Sequence, residues 1–250
     1  MSGSLARDVR RTPLTGSAFI RALASLNPVA APPGPDAFAQ RLARWVDWTH
    51  AFSLAAALDD APGRSEVPGL VGQGALSADE REFARVRAAL AATIADGPGG
   101  AGQSRRANRP LAAAAVPADT PIDFAAHRQR YAACQLAMET QIVPLRRRLR
   151  SSLADRSAAL AKLAELDIVL EQVVGAQERA LLATVAGRLE ARFDQLRGAH
   201  DDPSTDAGTP AGPWLGRFHQ EMRGLLLAEL DLRLQPCAGL LEACRKLIRS

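Results

Sequence analysis

Apolar residues recur along the N-terminal part of the chain every three or four positions, the spacing that places them on one face of an α-helix. The most regular stripe predicts a helix over 36–58, and a shorter pattern predicts one over 16–27. The order Ser77-Ala78-Asp79-Glu80 matches a capping box and predicts that a third helix starts there and ends at Gly97. The stripe of the 36–58 helix is Phe38, Leu42, Trp45, Thr49, Phe52 and Ala56.

A long helical tract is predicted from Pro121 onward. Pro144 lies inside its apolar stripe, and because proline lacks the N–H of a helical hydrogen bond, we expect a kink near 140–144. Ser157 follows Asp155 and Arg156 and can cap a new helix, so the sequence allows a break or a turn there but does not decide whether the tract turns. The stripe consists of Tyr131, Cys134, Met138, Ile142, Leu145, Leu149 and Leu153.

The next tract, 157–197, carries apolar residues that repeat every eleven positions, which keeps one face aligned on a nearly straight helix. A continuous helix would be roughly 60 Å long, with Gly175 and Gly187 as its weakest points. Pro213 then suits the start of another helix, and Pro236 is expected to break it before a short last helix. The predicted stripe of 157–197 is Leu160, Leu163, Leu170, Val174, Leu181, Val185, Leu189, Phe193 and Leu196.

These patterns predict an all-α fold, a helical bundle of long amphipathic helices with a kink near Pro144. No stretch alternates as a strand does, and aromatic residues make up only 4% of the 250 residues, which further disfavours sheet. A Gly-, Ala-, Arg- and Pro-rich stretch without apolar periodicity divides the chain. We expect an N-terminal helical region of three helices over 1–96, a flexible linker over 97–120 and a C-terminal long-helix bundle over 121–250.

The charge pattern offers one candidate contact surface. The formal net charge is only +4, which gives weak support for nucleic-acid binding. The densest basic run provides the candidate partner-contact residues Arg146, Arg147, Arg148 and Arg150. These arginines would wrap about half of a helix and face solvent, acidic partner helices or phosphate groups. Further arginines fall within 105–109 of the linker.

No catalytic, cofactor-binding or metal-ligating residues are predicted. The spacing G-x-G-x-x-G occurs at 97–102, but a helix precedes it and a linker follows, whereas phosphate binding needs a strand before it and a helix after it. His219 and Glu221 followed by Pro236 and Cys237 match only half of a zinc-deaminase signature, because position 240 is a leucine. The sequence therefore supplies no positive case for an enzyme and leans against one.

Cysteine usage and hydropathy bear on the compartment. Three cysteines without regular spacing argue against a disulfide framework and fit a reducing environment. No apolar run approaches the ~20 residues of a membrane-spanning helix. Arg10 and Arg11 precede an apolar stretch as in twin-arginine export signals, but Pro13 and the interrupting Arg21 do not fit one. We expect a cytoplasmic protein.

Three phrases spread over the chain carry a resemblance to a family. They are RTPLTGSAF at 11–19, WVDWT at 45–49 followed by SL at 53–54, and ALLATV at 180–185. On them the chain resembles an uncharacterised proteobacterial family of unknown function. The resemblance implies a bacterial protein without an assigned activity and supplies no site residues.

Three functional hypotheses follow. The first is a scaffold or adaptor that acts through protein–protein contacts along the 145–196 tract, with a protein partner of unknown identity or a second copy of the chain. The second, less favoured, is an accessory nucleic-acid-binding protein that uses the arginine clusters at 105–109 and 146–150. The third is an enzyme without a recognisable motif. No cofactor is implied by any of them.

Overall fold

A computed structural model describes residues 18–26, 55, 72–96, 123–200 and 212–249. All regular secondary structure in these ranges is helical, so the predicted all-α fold is confirmed. The predicted helix over 36–58 and the linker 97–120 lie outside the described residues. The helices are α1 (Ala18–Leu26), α2 (Gly72–Ala95), α3 (Ala125–Ala154), α4 (Ala158–Ala183), α5 (Val185–His200) and α6 (Gly212–Arg249).

Helix α6 is the centre of the bundle and contacts each of the other five described helices. Its inward positions are large and apolar, and they meet the stripes of α2 and α3 in one continuous core. The two predicted helical regions on either side of 97–120 therefore contribute to the same core. The fully enclosed side chains of α6 include Phe218, Leu225, Leu226, Leu230, Leu234, Cys237 and Cys244.

Helix α2 begins at Gly72, so the predicted start at the capping box of Ser77 to Glu80 is wrong. Asp79 is 3% exposed and faces another helix. Its carboxylate accepts hydrogen bonds from the Ser152 hydroxyl at 2.6 Å and from Nη2 of Arg156 at 2.8 Å. A buried carboxylate needs such partners, so tertiary contacts replace the local capping role that the sequence suggested.

Two prolines, Pro144 and Pro236, lie inside continuous helices. Helix α3 runs through Pro144 and is bent, which confirms the expected kink. The predicted break at Pro236 is wrong, because α6 continues without interruption to Arg249. Proline inside a helix costs about 3 kcal/mol, but Leu240 and Leu241, just beyond it, are almost fully buried. Burying two leucines offsets that cost, since each contributes about 1.5–3 kcal/mol.

A turn separates α3 from α4 before Ser157, where the sequence leaves the choice between a break and a turn open. The Ser157 hydroxyl oxygen accepts a hydrogen bond from the backbone N–H of Leu160 at 3.2 Å, so α3 and α4 form a helical hairpin. A second interruption separates α4 from α5 at Thr184 and not at Gly175 or Gly187. There the Thr184 hydroxyl donates to the Leu181 carbonyl at 2.7 Å and competes with the regular helical hydrogen bond.

Candidate partner-binding cleft

Helix α4 buries only part of its apolar stripe against the bundle. Five buried residues share the face toward the bundle, Leu160, Ala164, Asp167, Gly175 and Leu182, and Val173 is buried on the opposite side of the helix. Within the predicted stripe of this helix, Leu163 and Val174 are only half-buried, while Leu170 is 46% and Leu181 51% exposed. At 100° per residue the two faces differ by about 75°. The sequence leaves open whether this stripe packs within the chain or against a second copy. Within the chain, Leu163 packs against the core in part, Leu170 and Leu181 are not covered, and the predicted α5 stripe is buried.

An ion-pair cluster between α3 and α4 explains this rotation. Asp167 accepts hydrogen bonds from Nε and Nη2 of Arg146, both at 2.8 Å, and from Nε of Arg150 at 2.6 Å. Glu171 adds a salt bridge of 2.7 Å to Arg150. A short acidic side chain must face α3 directly to reach two guanidinium groups. The adjacent leucine stripe is thereby displaced toward solvent.

Charge stabilises the ionised state of this cluster. Burial tends to raise the pKa of the Asp167 carboxyl, but the hydrogen bonds and positive charges of Arg146 and Arg150 outweigh it and lower that pKa below its ordinary value. The side chains of both arginines are only 14% exposed. Asp167 is therefore an anion in the folded protein at neutral pH, and the cluster fixes α4 on α3.

The four candidate partner-contact arginines do not share one surface. Arg146 and Arg150 point into the α3–α4 interface, where acidic side chains neutralise them. Arg147 is exposed, and Arg148 is 55% exposed with its Nε 3.6 Å from a carboxylate oxygen of Asp79. The 105–109 arginines lie outside the described residues. Only Arg147 and Arg148 thus stay candidates for contact with an external partner.

An open cleft of about 570 Å³ lies between α3, α4 and α6. Six apolar side chains from α3 and α4 line it, and Pro236 and Leu232 of α6 contribute to the same lining. Its volume is in the range of known ligand sites, about 300–1,000 Å³. The six large apolar side chains from α3 and α4 are Met138, Ile142, Val143, Leu170, Val174 and Leu182, and Ala183 also lines the cleft.

A buried polar network reaches the cleft through Gln135 and Arg233. At its centre Glu229 is fully enclosed and accepts hydrogen bonds from the hydroxyl of Tyr131, from Nε2 of Gln135 at 3.1 Å and from Nε of Arg233 at 2.9 Å. Burial and the neighbouring Glu229 carboxylate raise the pKa of the Tyr131 hydroxyl, which stays protonated. The network joins α3 to α6 and supplies two of the polar side chains that line the cleft.

Sequence reasoning missed this network and treated Tyr131 as a core residue. The available signal was the pairing of polar residues four positions apart, Tyr131 with Gln135 and Glu229 with Arg233, each at a spacing that shares a helix face. That signal also describes solvent-exposed pairs. Only the packing of α3 on α6 distinguishes the two cases.

The half-match to a zinc-deaminase signature has no structural counterpart. His219 and Cys237 lie on the same continuous helix and are about 27 Å apart along its axis. Glu221 is engaged by Nε of Arg192 at 2.7 Å and by Nε of Arg217 at 3.0 Å. Burial raises the pKa of the Cys237 thiol to about 11, so the thiol is protonated and a poor nucleophile at neutral pH.

Fold and cleft together define an all-α bundle protein whose outer hairpin borders an open, mainly apolar groove. A family model described as "Protein of unknown function (DUF3348)" matches residues 5–246, so the chain belongs to that family. Neither the comparison with curated proteins nor that with solved structures finds a match. Within the described ranges, no helix combines the length and hydropathy required to cross a bilayer.

Proposed function

We propose that this protein is a helical scaffold or adaptor that acts through protein–protein contacts and takes a partner helix in the cleft bordered by α3 and α4. The observation that carries this proposal is the exposure of the α4 leucine stripe. Leu170 and Leu181 are about half exposed although they continue a regular helical stripe. Exposed apolar residues grouped beside a groove mark interaction sites more often than isolated ones do.

The dimensions of the cleft support a helical occupant. Its α3 wall extends from Gln135 to Arg146 and its α4 wall from Asp167 to Ala183, so the two walls are about 16 and 24 Å long. Those lengths correspond to about three to four turns of helix. Amphipathic helices bind such grooves by inserting apolar side chains spaced three or four positions apart.

Charge supports a partner that carries basic residues beside its apolar face. Glu139 on α3 and Glu178 on α4 line opposite walls and form no salt bridge within the described part of the chain. The acids deeper in the cleft, Asp167 and Glu171, are already neutralised by arginines. Arg179 is the one unpaired cation among the described lining residues, so the unpaired charge is net negative and favours a cationic helix.

A labelled peptide tests this proposal with the full-length protein. The probe is a 16-residue amphipathic helix with leucines on one face and lysines beside it, and a matched peptide carries glutamates in place of the lysines. Fluorescence anisotropy should detect the lysine peptide and not the glutamate peptide. Leu170→Glu should weaken binding at least tenfold, whereas Leu136→Glu, at an exposed α3 leucine outside the cleft, should not.

Each other outcome contradicts part of the proposal. Tighter binding of the glutamate peptide would contradict the charge argument, and equal effects of the two leucine substitutions would remove the cleft as the binding site. If the protein forms a concentration-dependent dimer that Leu170→Glu dissociates, the occupant of the cleft is a second copy of this chain and not a foreign helix. Loss of peptide binding in Arg147→Ala and not in Leu170→Glu would show that the peptide binds the basic run at 146–150 and not the cleft.

Nucleic-acid binding is less well supported than protein binding. Of the 146–150 cluster, Arg146 and Arg150 are bound to carboxylates and cannot also neutralise phosphates without breaking an interior contact. No described residue arrangement favours an enzymatic function. Cytoplasmic location and proteobacterial origin stay predictions of the sequence.

A further inference from the structure

Two histidines face each other in an aromatic cluster at the end of the bundle where α3 and α6 begin. The ring centroids of His127 and His219 are 5.0 Å apart. His127 also lies 5.2 Å from the ring of Phe218 and 5.5 Å from that of Phe193, which belongs to α5. The cluster therefore joins the first turns of α3 and α6 to α5.

The surroundings of both imidazoles disfavour positive charge. His127 is 9% exposed, and Nε2 of His219 is enclosed without a hydrogen-bond partner in the described part of the chain. Burial lowers the pKa of both histidines, and the positive charge of Arg130 lowers each further. For His127 the facing imidazole of His219 adds to this effect. Protonation of Nε2 in His219 would create a buried charged donor with no acceptor.

The charged groups around the pair give little compensation. Arg130 is held at the C-terminal end of α2, where its guanidinium donates to the carbonyl oxygens of Ile94 and Asp96. Asp123, which precedes α3, is the one acid that raises the pKa of His127, and its effect is smaller than those of burial, His219 and Arg130.

Neighbouring carboxylates on α5 and α6 are already engaged by arginines. On α5, Glu190 is bound to Arg128 of α3. On α6, Glu221 is bound to Arg192 of α5 and to Arg217. Neither carboxylate is free to stabilise a charged imidazole without losing its own ion pair.

We propose that the His127–His219 pair is an acid-sensitive contact that holds α5 and the first turns of α3 and α6 together while both rings are neutral and releases them on protonation. The hydrogen bond from Arg192 lowers the pKa of the Glu221 carboxyl, so the Arg192–Glu221 ion pair does not itself respond to weak acid. Acid should loosen this end of the bundle selectively because the paired histidines lie only there, while the ion pairs from α5 to α3 and α6 still tether these helices. This device is separate from the cleft and does not depend on the proposed partner.

Hydrogen exchange on the full chain tests the proposal. Amide exchange at pH 7.5 and 5.5, corrected for its intrinsic pH dependence, should show lost protection in α5, at 124–130 and at 214–219, but not in the second half of α6. Each histidine charged only in the open state favours opening about tenfold per pH unit below its ordinary pKa of about 6.5. Lower pH favours opening because the open state binds more protons than the closed state.

Variants and a titration of the unmodified protein make the test decisive. The double variant His127→Phe with His219→Leu should abolish the acid-induced loss of protection, whereas His200→Gln, which alters a histidine outside the pair, should retain it. If the double variant does not fold, an NMR titration of the two histidines in the unmodified protein still tests the proposal. Titration of both imidazoles at or above 6.5, or loss of protection spread evenly over the bundle, would overturn the proposal.

Discussion

Replacing Asp167 with asparagine should destabilise the bundle more than any other single isosteric change in the α3–α4 interface. The substitution keeps the shape of the side chain but removes the charge that accepts hydrogen bonds from Arg146 and Arg150. Two guanidinium groups would then share only Glu171, whose side chain is 37% exposed. The α3–α4 interface would then carry an excess of positive charge.

The burial of the three groups sets the magnitude. The Asp167 side chain is 10% exposed and each arginine side chain 14%, so solvent screens the unpaired charges poorly. Breaking a buried ion pair by removing one partner costs about 3–5 kcal/mol. The matched control Glu171→Gln, at the more exposed acid of the same cluster, should cost about 1 kcal/mol or less.

Urea unfolding followed by circular dichroism at 222 nm measures both free energies of unfolding. A triple variant, Asp167→Leu with Arg146→Met and Arg150→Met, should recover most of the loss, because apolar replacement of a whole buried ion pair is often neutral or stabilising. A loss below about 1 kcal/mol in Asp167→Asn, or a triple variant less stable than the single one, would refute the interior placement of the cluster.

The pH dependence of the same variant provides an independent check. The pKa of the Asp167 carboxyl is lowered in the folded protein, so its contribution to stability is complete above its ordinary pKa of about 3.9 and is lost as pH falls through the lowered value. The difference in unfolding free energy between the unmodified protein and Asp167→Asn should therefore shrink below about pH 4. A difference that stays constant into strong acid would contradict this account.

Three further substitutions follow from packing and are measured by the same urea titration. Pro236→Ala should raise the free energy of unfolding by about 1–2 kcal/mol, because it restores the N–H that the Leu232 carbonyl lacks, and no gain would show that the helix is distorted there for another reason. Gly187→Ala should raise it by about 0.5–1 kcal/mol, since an added Cβ meets open space within a helix; a loss would contradict that. Phe193→Ala should lower it by about 3–5 kcal/mol, as the ring is fully buried, and a loss under 1 kcal/mol would contradict its central place.

The sequence predicts well where a helix buries its largest apolar side chains. The α3 stripe from Tyr131 to Leu153 and the α5 stripe from Val185 to Leu196 are buried as expected. The polar residues of these helices that meet neighbouring helices, such as Arg146 and Arg192, lie beside the apolar stripe without displacing it, so hydrophobic periodicity sets the rotation. Pro144 acts locally, and its effect is also readable from the chain.

Local rules fail where partners distant in sequence decide the outcome. Asp167 faces inward because two arginines one helix earlier require it, and periodicity contains no information about that pairing. Pro236 breaks helices in isolation, but burial of the residues after it overrides the local preference. Local sequence likewise predicts a solvent-facing basic run at 146–150. Two of its four arginines, Arg146 and Arg150, instead pair with Asp167 in the α3–α4 interface.

The position of α6 at the end of the described helices has a consequence for biosynthesis. Every earlier described helix rests on α6, yet α6 is the last of them to leave the ribosome. The apolar stripes of α1 to α5 have no complete surface to cover them until that moment, so the nascent chain must stay protected from aggregation through most of its translation. Chaperone dependence during synthesis, followed by rapid folding once α6 emerges, is the expected behaviour of this topology.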